Sequence, residues 1–118
     1  MSPLYTGFPA IIYSALWILK KLGILEKDIP DAKILILITD APPAFMIKIK
    51  GGEYKIDILE NIKNMEDIER VPSEMYIALP SHHFLGSIEA IFDGISKGII
   101  KIKNEKIFPI LGKIGSVF

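Results

Sequence analysis

The sequence contains no cysteine among its 118 residues. This absence excludes a disulfide framework, a thiolate nucleophile and a zinc site with sulfur ligands. The chain also has no excess of positive or negative charge, because 14 basic and 14 acidic residues give a formal net charge of zero. Proteins that bind nucleic acid normally carry a basic surface, so we predict no nucleic-acid partner.

No apolar run is long enough to cross a lipid bilayer, which takes about 20 helical residues. The most apolar stretch lies near the N-terminus, and Lys20 and Lys21 follow it rather than precede it. A secretory signal has its basic residues first. We therefore predict no stable membrane insertion and a cytoplasmic location.

Apolar side chains are present in excess, at 50% of residues, and the mean hydropathy is +0.38. A chain of this length is expected to form one domain, here residues 1–118, with a single core. The remaining apolar side chains need a larger core, an oligomer interface or the wall of a cavity.

A helix is predicted over residues 8–22, since Pro9 suits its first turn and Gly23 suits the position after its end. Two neighbouring stripes of this helix are apolar, one made of Ile11, Ala15, Ile18 and Leu22 and the other of Ile12, Leu16 and Leu19. A helix this apolar is normally buried between protein layers or in an interface, and a membrane surface is the alternative.

A β-hairpin is the best-specified local element. Gly51 and Gly52 separate two runs of alternating apolar and polar residues, which indicates a two-residue turn. Counting outward from the turn pairs Lys50 with Glu53, Ile49 with Tyr54, Ile47 with Ile56 and Phe45 with Ile58. In this register the apolar residues share one face, and Lys48, Lys50, Lys55 and Asp57 share a solvated one.

A strand, a helix and a second strand are predicted between residues 74 and 103. Pro80 ends the first strand, and Ser81 stands where a helix N-cap belongs. One wide face of the helix is apolar and consists of Phe84, Leu85, Ile88, Ile91, Phe92 and Ile95. Gly98 breaks the helical period, and residues 98–103 alternate as a returning strand.

These patterns predict an α+β fold, with a five-stranded sheet and helices packed on one face of it. The strands are expected at 33–39, 44–50, 53–59, 74–79 and 98–103, and the helices at 8–22, 82–97 and 107–117. The strand at 33–39 is apolar on both sides, which is typical of a strand covered on both faces. Residues 61–69 fit either a short helix or a loop.

The strand, the aromatic-led helix and the G-I-I-K-I-K strand resemble the sterol carrier protein type 2-like lipid-transfer family. The resemblance covers residues 33–118, with a shorter spacer before Gly98 and with Asn104 where a glycine is common. It implies an apolar tunnel between sheet and helices. The residues expected to line it are Phe84, Leu85, Ile88, Ile91, Phe92, Ile95, Ile100, Ile102, Ile110 and Ile114.

Candidate catalytic residues are few. His82 and His83 are the only histidines, and adjacent helical positions cannot chelate one metal without further ligands. We interpret them as exposed side chains of a first helical turn, and a metal or general-base role is the alternative. Ser81 lacks the G-x-S-x-G context of a nucleophile elbow, and no nucleotide fingerprint is present. We therefore predict no catalytic residue, no metal and no cofactor.

Other charged residues have ordinary interpretations. Asp93 and Lys97 are four positions apart, which predicts an ion pair on a solvated helix face. The strand lysines either hold the anionic head of a lipid or keep an outer sheet face soluble, and they are Lys48, Lys50, Lys55, Lys101 and Lys103.

The main functional hypothesis is a non-enzymatic protein that binds and carries a fatty-acyl or other amphipathic lipid in an apolar cavity. Pro109, Gly112 and Gly115 weaken the C-terminal helix, which we interpret as a docked but pliable cover over the ligand. The alternative is an interaction subunit whose apolar surface pairs with a second copy or with an enzyme of acyl-CoA metabolism.

Overall fold

The computed structural model describes residues 7–84 and 88–117. In chain order the elements are α1 (Gly7–Lys21), α2 (Ile24–Lys27), β1 (Ala32–Ile38), β2 (Ala44–Lys50), β3 (Glu53–Leu59), α3 (Met65–Glu69), β4 (Met75–Leu79), α4 (Ser81–Phe84), α5 (Ile88–Ser96), β5 (Lys101–Lys103) and α6 (Ile107–Gly115).

The five strands form one mixed sheet in the order β3-β2-β1-β4-β5. The central strand, β1, is antiparallel to β2 and parallel to β4, and β5 is antiparallel to β4. All residues of β1 except Lys33 are buried. The sequence predicts this burial, because a strand that is apolar on both sides requires cover on both faces.

The register of the β2–β3 hairpin is the one that the sequence predicts. Lys50 pairs with Glu53, Ile49 with Tyr54, Ile47 with Ile56, and Phe45 with Ile58. Gly51 and Gly52 have φ angles of 57° and 80°, which a type I′ turn requires and which glycine adopts without strain.

The main core lies between one face of the sheet and the helices α1, α5 and α6. Phe45, Ile47 and Ile56 of the hairpin are buried in it together with the alternate residues Ile34, Ile36 and Ile38 of β1. Helix α1 contributes Ile12, Ala15, Leu16 and Leu19, and α6 contributes Ile107, Ile110 and Ile114. The predicted α+β fold with a five-stranded sheet is therefore confirmed, and α1, α5 and α6 pack on one face of it, although α3 packs on the other.

A smaller core covers the other face of the central strands. Leu35, Leu37, Ala44, Ala78 and Ile68 form it, and Ile62, Met65 and Val71 pack against it. Ile68 belongs to α3, so the second half of the segment 61–69 forms a short helix and residues 61–64 do not. The Asn64 side chain accepts a hydrogen bond from the Asp67 N–H and caps this helix.

Helix α1 is buried on one side only, so the predicted burial between layers of this chain does not hold for its outer side, and an interface there stays a prediction. Trp17 and Leu22 have 50% and 68% of their surface exposed, and Ile18 is also exposed. The Lys20 ammonium pairs with the Glu53 carboxylate at 2.6 Å, which ties the end of α1 to the hairpin turn. Within residues 7–84 and 88–117, no helix is long and apolar enough to cross a membrane.

The segment after β4 differs from its prediction in two places. Ser81 is the first residue of α4 rather than its N-cap. Gly98 ends α5 instead of starting a strand: its φ is 75°, and the Ile99 N–H donates to the Gly94 carbonyl at 2.9 Å. This is the usual way for a glycine to terminate a helix, and β5 therefore begins three residues later, at Lys101.

Candidate functional site

Six of the ten residues predicted to line an apolar cavity belong to the main core. Ile100, Ile110 and Ile114 are buried in the main core, and Ile91, Ile95 and Ile102 are half-buried and pack against it. They come from α5, from β5 and the residue before it, and from α6. We call this group the α5–α6 layer.

Of the other four predicted residues, only Phe92 has a side chain that the structure describes. Phe92 has 51% of its surface exposed, and its ring contacts the Phe108 ring with centroids 5.1 Å apart. Leu85 lies outside the residues that the structure describes. The side chains of Phe84 and Ile88 also lie outside the description, although both residues belong to helices.

Phe108 is a residue of this region that the sequence analysis missed. It packs against the main core from α6, and its ring contact with Phe92 joins α6 to α5 at the surface. Ile99, which follows α5, is exposed as well. The signal for Phe108 was weak, because it does not share the spacing of Ile107, Ile110 and Ile114.

Helix α5 packs closely against the Ile100 side chain at Gly94. A methyl group at this position would lie 2.5 Å from the Cδ1 atom and 2.7 Å from the Cγ1 atom of Ile100, both far inside van der Waals contact. Ile100 is buried, so it has little space to move away. The absence of a side chain at Gly94 therefore allows α5 to lie this close to Ile100.

An open groove of about 460 Å³ lies beside the layer. Met75 and Ile110 line it and belong to the main core. Its charged residues come from separate elements: Asp28 and Asp31 from the connector before β1, Glu74 from the residue before β4, and Lys106 and Lys113 from α6 and its start. The sequence analysis did not predict this groove, although Lys106, Ile110 and Lys113 have the spacing of one helical face.

Asn104 forms the turn between β5 and α6 at the rim of the groove. Its φ is 74°, a left-handed conformation that favours glycine and that asparagine tolerates better than most residues. The Asn104 Oδ1 atom accepts a hydrogen bond from the Lys106 N–H at 3.1 Å. This geometry accounts for an asparagine at a position where the resembled family commonly has glycine.

Ser81 is held by a carboxylate rather than by a histidine. Its Oγ donates to Asp40 Oδ2 at 2.6 Å, and its backbone N–H donates to Asp40 Oδ1 at 2.8 Å. These hydrogen bonds lower the pKa of Asp40 below its ordinary value of 3.8, the side-chain bond more than the backbone bond. Over the described ranges 7–84 and 88–117, no hydrogen bond joins Ser81 to a histidine, which is the contact that activates a serine nucleophile.

The two histidines differ in environment. His82 is exposed as predicted, but His83 is half-buried, so its interpretation as an exposed side chain is wrong. The two rings are in contact, with centroids 4.3 Å apart and planes tilted by 42°, and His83 Nδ1 is buried with no hydrogen-bond partner in the described part of the chain. Among the described residues, no group of three His, Cys, Asp or Glu side chains could hold a metal ion.

Several lysine side chains form ion pairs with aspartates. Lys97 Nζ lies 2.9 Å from Asp93 Oδ2, which confirms the predicted ion pair. Lys48 and Lys55 both pair with Asp57, at 2.8 and 3.5 Å. Lys48 is the main cause of the lowered pKa of Asp57.

The lysines of β5 also have partners. Lys101 pairs with Glu69 of α3, and Lys103 Nζ donates to the Ser73 carbonyl at 2.7 Å. These contacts hold β5 against the segment that precedes β4. They favour a structural interpretation of Lys48, Lys55, Lys101 and Lys103 over one in which they bind a lipid head.

Neither a family model nor a curated protein matches the sequence. The fold, by contrast, is similar to that of a solved structure: a protein described as "UbiJ-SCP2 Ubiquinone synthesis protein" superposes on this chain with a TM-score of 0.60. The alignment covers 97% of this chain and 96% of the other, at 5% sequence identity. The chain has an SCP2-like fold. The fold expected from the resemblance is thereby confirmed over nearly the whole chain, although almost none of the sequence is shared.

Proposed function

We propose that this protein binds and carries a fatty-acyl or other amphipathic lipid, without catalysing a reaction, and that the α5–α6 layer holds the apolar part of the ligand. The main support is that six residues predicted to line a cavity belong to the main core of an SCP2-like fold. Ile91, Ile95 and Ile102 are only partly buried by the protein itself. They therefore have apolar surface that a ligand could cover.

The edge formed by Phe92, Phe108 and Ile99 is the proposed entrance to the layer. Phe92 and Ile99 are exposed, and the two aromatic rings span the gap between α5 and α6. A lipid chain that enters there leaves water for an apolar environment. Each buried methylene contributes about 0.8 kcal/mol, so a long chain supplies enough free energy to separate the rings.

The solved structure with a similar fold is named as a ubiquinone synthesis protein. Ubiquinone and its precursors have a polar ring and a long apolar tail, which makes them one class of amphipathic ligand to test beside fatty acids. Burial of the tail would be the same in both cases. Residues outside the α5–α6 layer would determine which polar head group the protein prefers.

Native mass spectrometry of freshly purified protein tests the proposal. We expect a bound mass of a few hundred daltons that leaves when the protein is extracted with organic solvent, and rebinding of a fluorescent fatty acid afterwards. Ile95→Ser should weaken rebinding about tenfold, because it removes apolar contact area from the layer. Ile58→Ser is the matched control, since Ile58 is a partly exposed isoleucine of β3 at the far edge of the sheet.

Two outcomes would contradict a lipid-binding role. One is ligand-free protein that also fails to take up any fatty acid or isoprenoid quinone. The other is equal loss of binding in the Ile95 and Ile58 variants while circular dichroism reports both as folded.

A second candidate function, pairing with another copy or with a partner enzyme, is favoured by the outer side of α1. Trp17 and Ile18 of α1 and Leu22 just after its end are exposed there, beside the basic residues Lys20 and Lys21. A stable interface buries about 800 Å² on each partner, so these residues would form its centre. Sedimentation velocity over a range of concentrations tests self-pairing, which Leu22→Lys should abolish and Ile58→Lys should leave unchanged.

A further inference from the structure

The groove beside the α5–α6 layer has an uneven distribution of charge. Lys113 belongs to α6, and Lys106 is the residue just before it, seven positions earlier on the same helical face. Pro109 and Ile110 lie between them and also line the groove. Asp28, Asp31 and Glu74 come from the chain segments that precede β1 and β4. Cations and carboxylates are therefore supplied by different elements around one cavity.

These charges do not neutralise one another within the described residues. No ion pair joins Lys106 or Lys113 to Asp28, Asp31 or Glu74. Asp31 is partly engaged, because its Oδ1 accepts the Gly51 N–H at 2.9 Å. The two lysines, Asp28 and Glu74 are exposed and available to a ligand.

The apolar lining of the groove connects it to the proposed lipid site. Met75 and Ile110 are both at least 94% buried and belong to the main core, and Ile110 is one of the six residues of the α5–α6 layer. A ligand whose head lies in the groove can therefore direct its apolar chain along α6. The volume of about 460 Å³ falls within the range of small-molecule sites.

The balance of charge selects the kind of head group. A head with only negative charge would meet three carboxylates, and a head with only positive charge would meet two ammonium groups. A head that carries both charges can place its phosphate at the lysines and its ammonium at the carboxylates. The lysines can donate charge-assisted hydrogen bonds to the phosphate, which are about twice as strong as neutral ones, and the carboxylates attract the ammonium by charge.

We propose that the groove binds the zwitterionic phosphate–ammonium head of an amphiphile. Lys106 and Lys113 hold the phosphate, and Glu74 and Asp28 hold the ammonium. The inference rests on the proposed function, because the chain of the same ligand is assigned to the α5–α6 layer.

Three amphiphiles with the same dodecyl chain test the head-group assignment by isothermal titration below their micelle concentrations. They are dodecylphosphocholine, dodecyl phosphate and dodecyltrimethylammonium. We expect dodecylphosphocholine to bind about tenfold more tightly than either singly charged probe, and free phosphocholine to bind at least tenfold more weakly than dodecylphosphocholine. Equal affinity of the free head group would overturn the assignment to a lipid.

Charge variants test the named residues. Lys113→Glu should lower the affinity for dodecylphosphocholine about tenfold and raise that for dodecyltrimethylammonium, and Glu74→Lys should favour dodecyl phosphate. Lys63→Glu is the control, because Lys63 is an exposed lysine in the connector before α3 that lines no part of the groove. A change of preference cannot arise from loss of stability alone.

The failures of the two proposals are distinguishable. Equal binding of all three probes, weakened by Ile95→Ser but unaffected by Lys113→Glu, would overturn the head-group site and leave the lipid site standing. Absence of binding by any dodecyl probe, together with no uptake of fatty acid, would overturn both.

Discussion

Asp40 and Ser81 are separated by 41 positions in the sequence, and both oxygens of the Asp40 carboxylate accept hydrogen bonds from Ser81. Asp40 follows β1 by two residues, and Ser81 follows β4 by two. The contact therefore joins the ends of two adjacent parallel strands at the start of α4. Asp40 thus replaces the side-chain cap that α4 would otherwise take from its own sequence.

The Asp40 contact predicts a pH dependence of stability. The pKa of Asp40 is lowered in the folded protein, so its contribution is complete above the unfolded value of 3.8 and is lost as the pH falls through the folded pKa. Asp40→Asn should lower the melting temperature at pH 7, and the difference from the natural protein should shrink below pH 4. A difference that stays constant down to pH 2 would contradict the assignment.

The hairpin register predicts opposite outcomes for two neighbouring substitutions. Ile47 is fully buried, so Ile47→Asp places a charge in the main core and should unfold the chain, because the penalty approaches a typical stability of 5–15 kcal/mol. Lys48→Thr removes only the surface pair with Asp57 and should change stability by about 1 kcal/mol or less. Urea unfolding measures both, and equal destabilisation would show that the faces are misassigned.

Two helical glycines should respond in opposite ways to alanine. Gly94→Ala places a methyl group against Ile100, and overpacking of about 1–3 kcal/mol should outweigh the gain in helix propensity of about 1 kcal/mol. Gly112→Ala in α6 meets no atom within 4 Å and should stabilise the chain by about 0.5–1 kcal/mol. Stabilisation by Gly94→Ala would mean that Ile100 can move aside freely.

Helix α6 also allows a test of the idea that it covers the ligand. Removing the helix is unsuitable, because Ile107, Ile110 and Ile114 are buried in the main core and each contributes about 1.5–3 kcal/mol. The double variant Gly112→Ala, Gly115→Ala stiffens it without new contacts. We expect slower release of a fluorescent fatty acid in stopped-flow measurements, and an unchanged release rate would exclude α6 as a cover.

The sequence predicted those parts of the fold that depend on local pattern. Alternation around Gly51 and Gly52 was sufficient for the hairpin register, because a slip of one residue would expose Phe45 and Ile47. The spacing of Asp93 and Lys97 was likewise sufficient for their ion pair. In each case the interacting residues are close in sequence.

The parts that the sequence did not predict depend on distant partners or on what covers a surface. The Asp40–Ser81 contact could not be inferred from the residues around Ser81, which alone resemble an N-cap. The exposure of Trp17 and Leu22 arises because none of the described elements packs over the outer side of α1. The groove required the chain before β1, the start of β4 and α6 to meet, and no motif in any one of them indicates this.

The parallel pairing of β1 with β4 also has a consequence for how the chain folds. Residues 39–74 lie between the two strands and contain the whole β2–β3 hairpin and α3. The hairpin can close within microseconds, whereas β1 and β4 must first bring together the ends of this long loop. Nucleation is therefore expected in the β2–β3 hairpin and β1, with β4 and β5 joining the sheet late in folding.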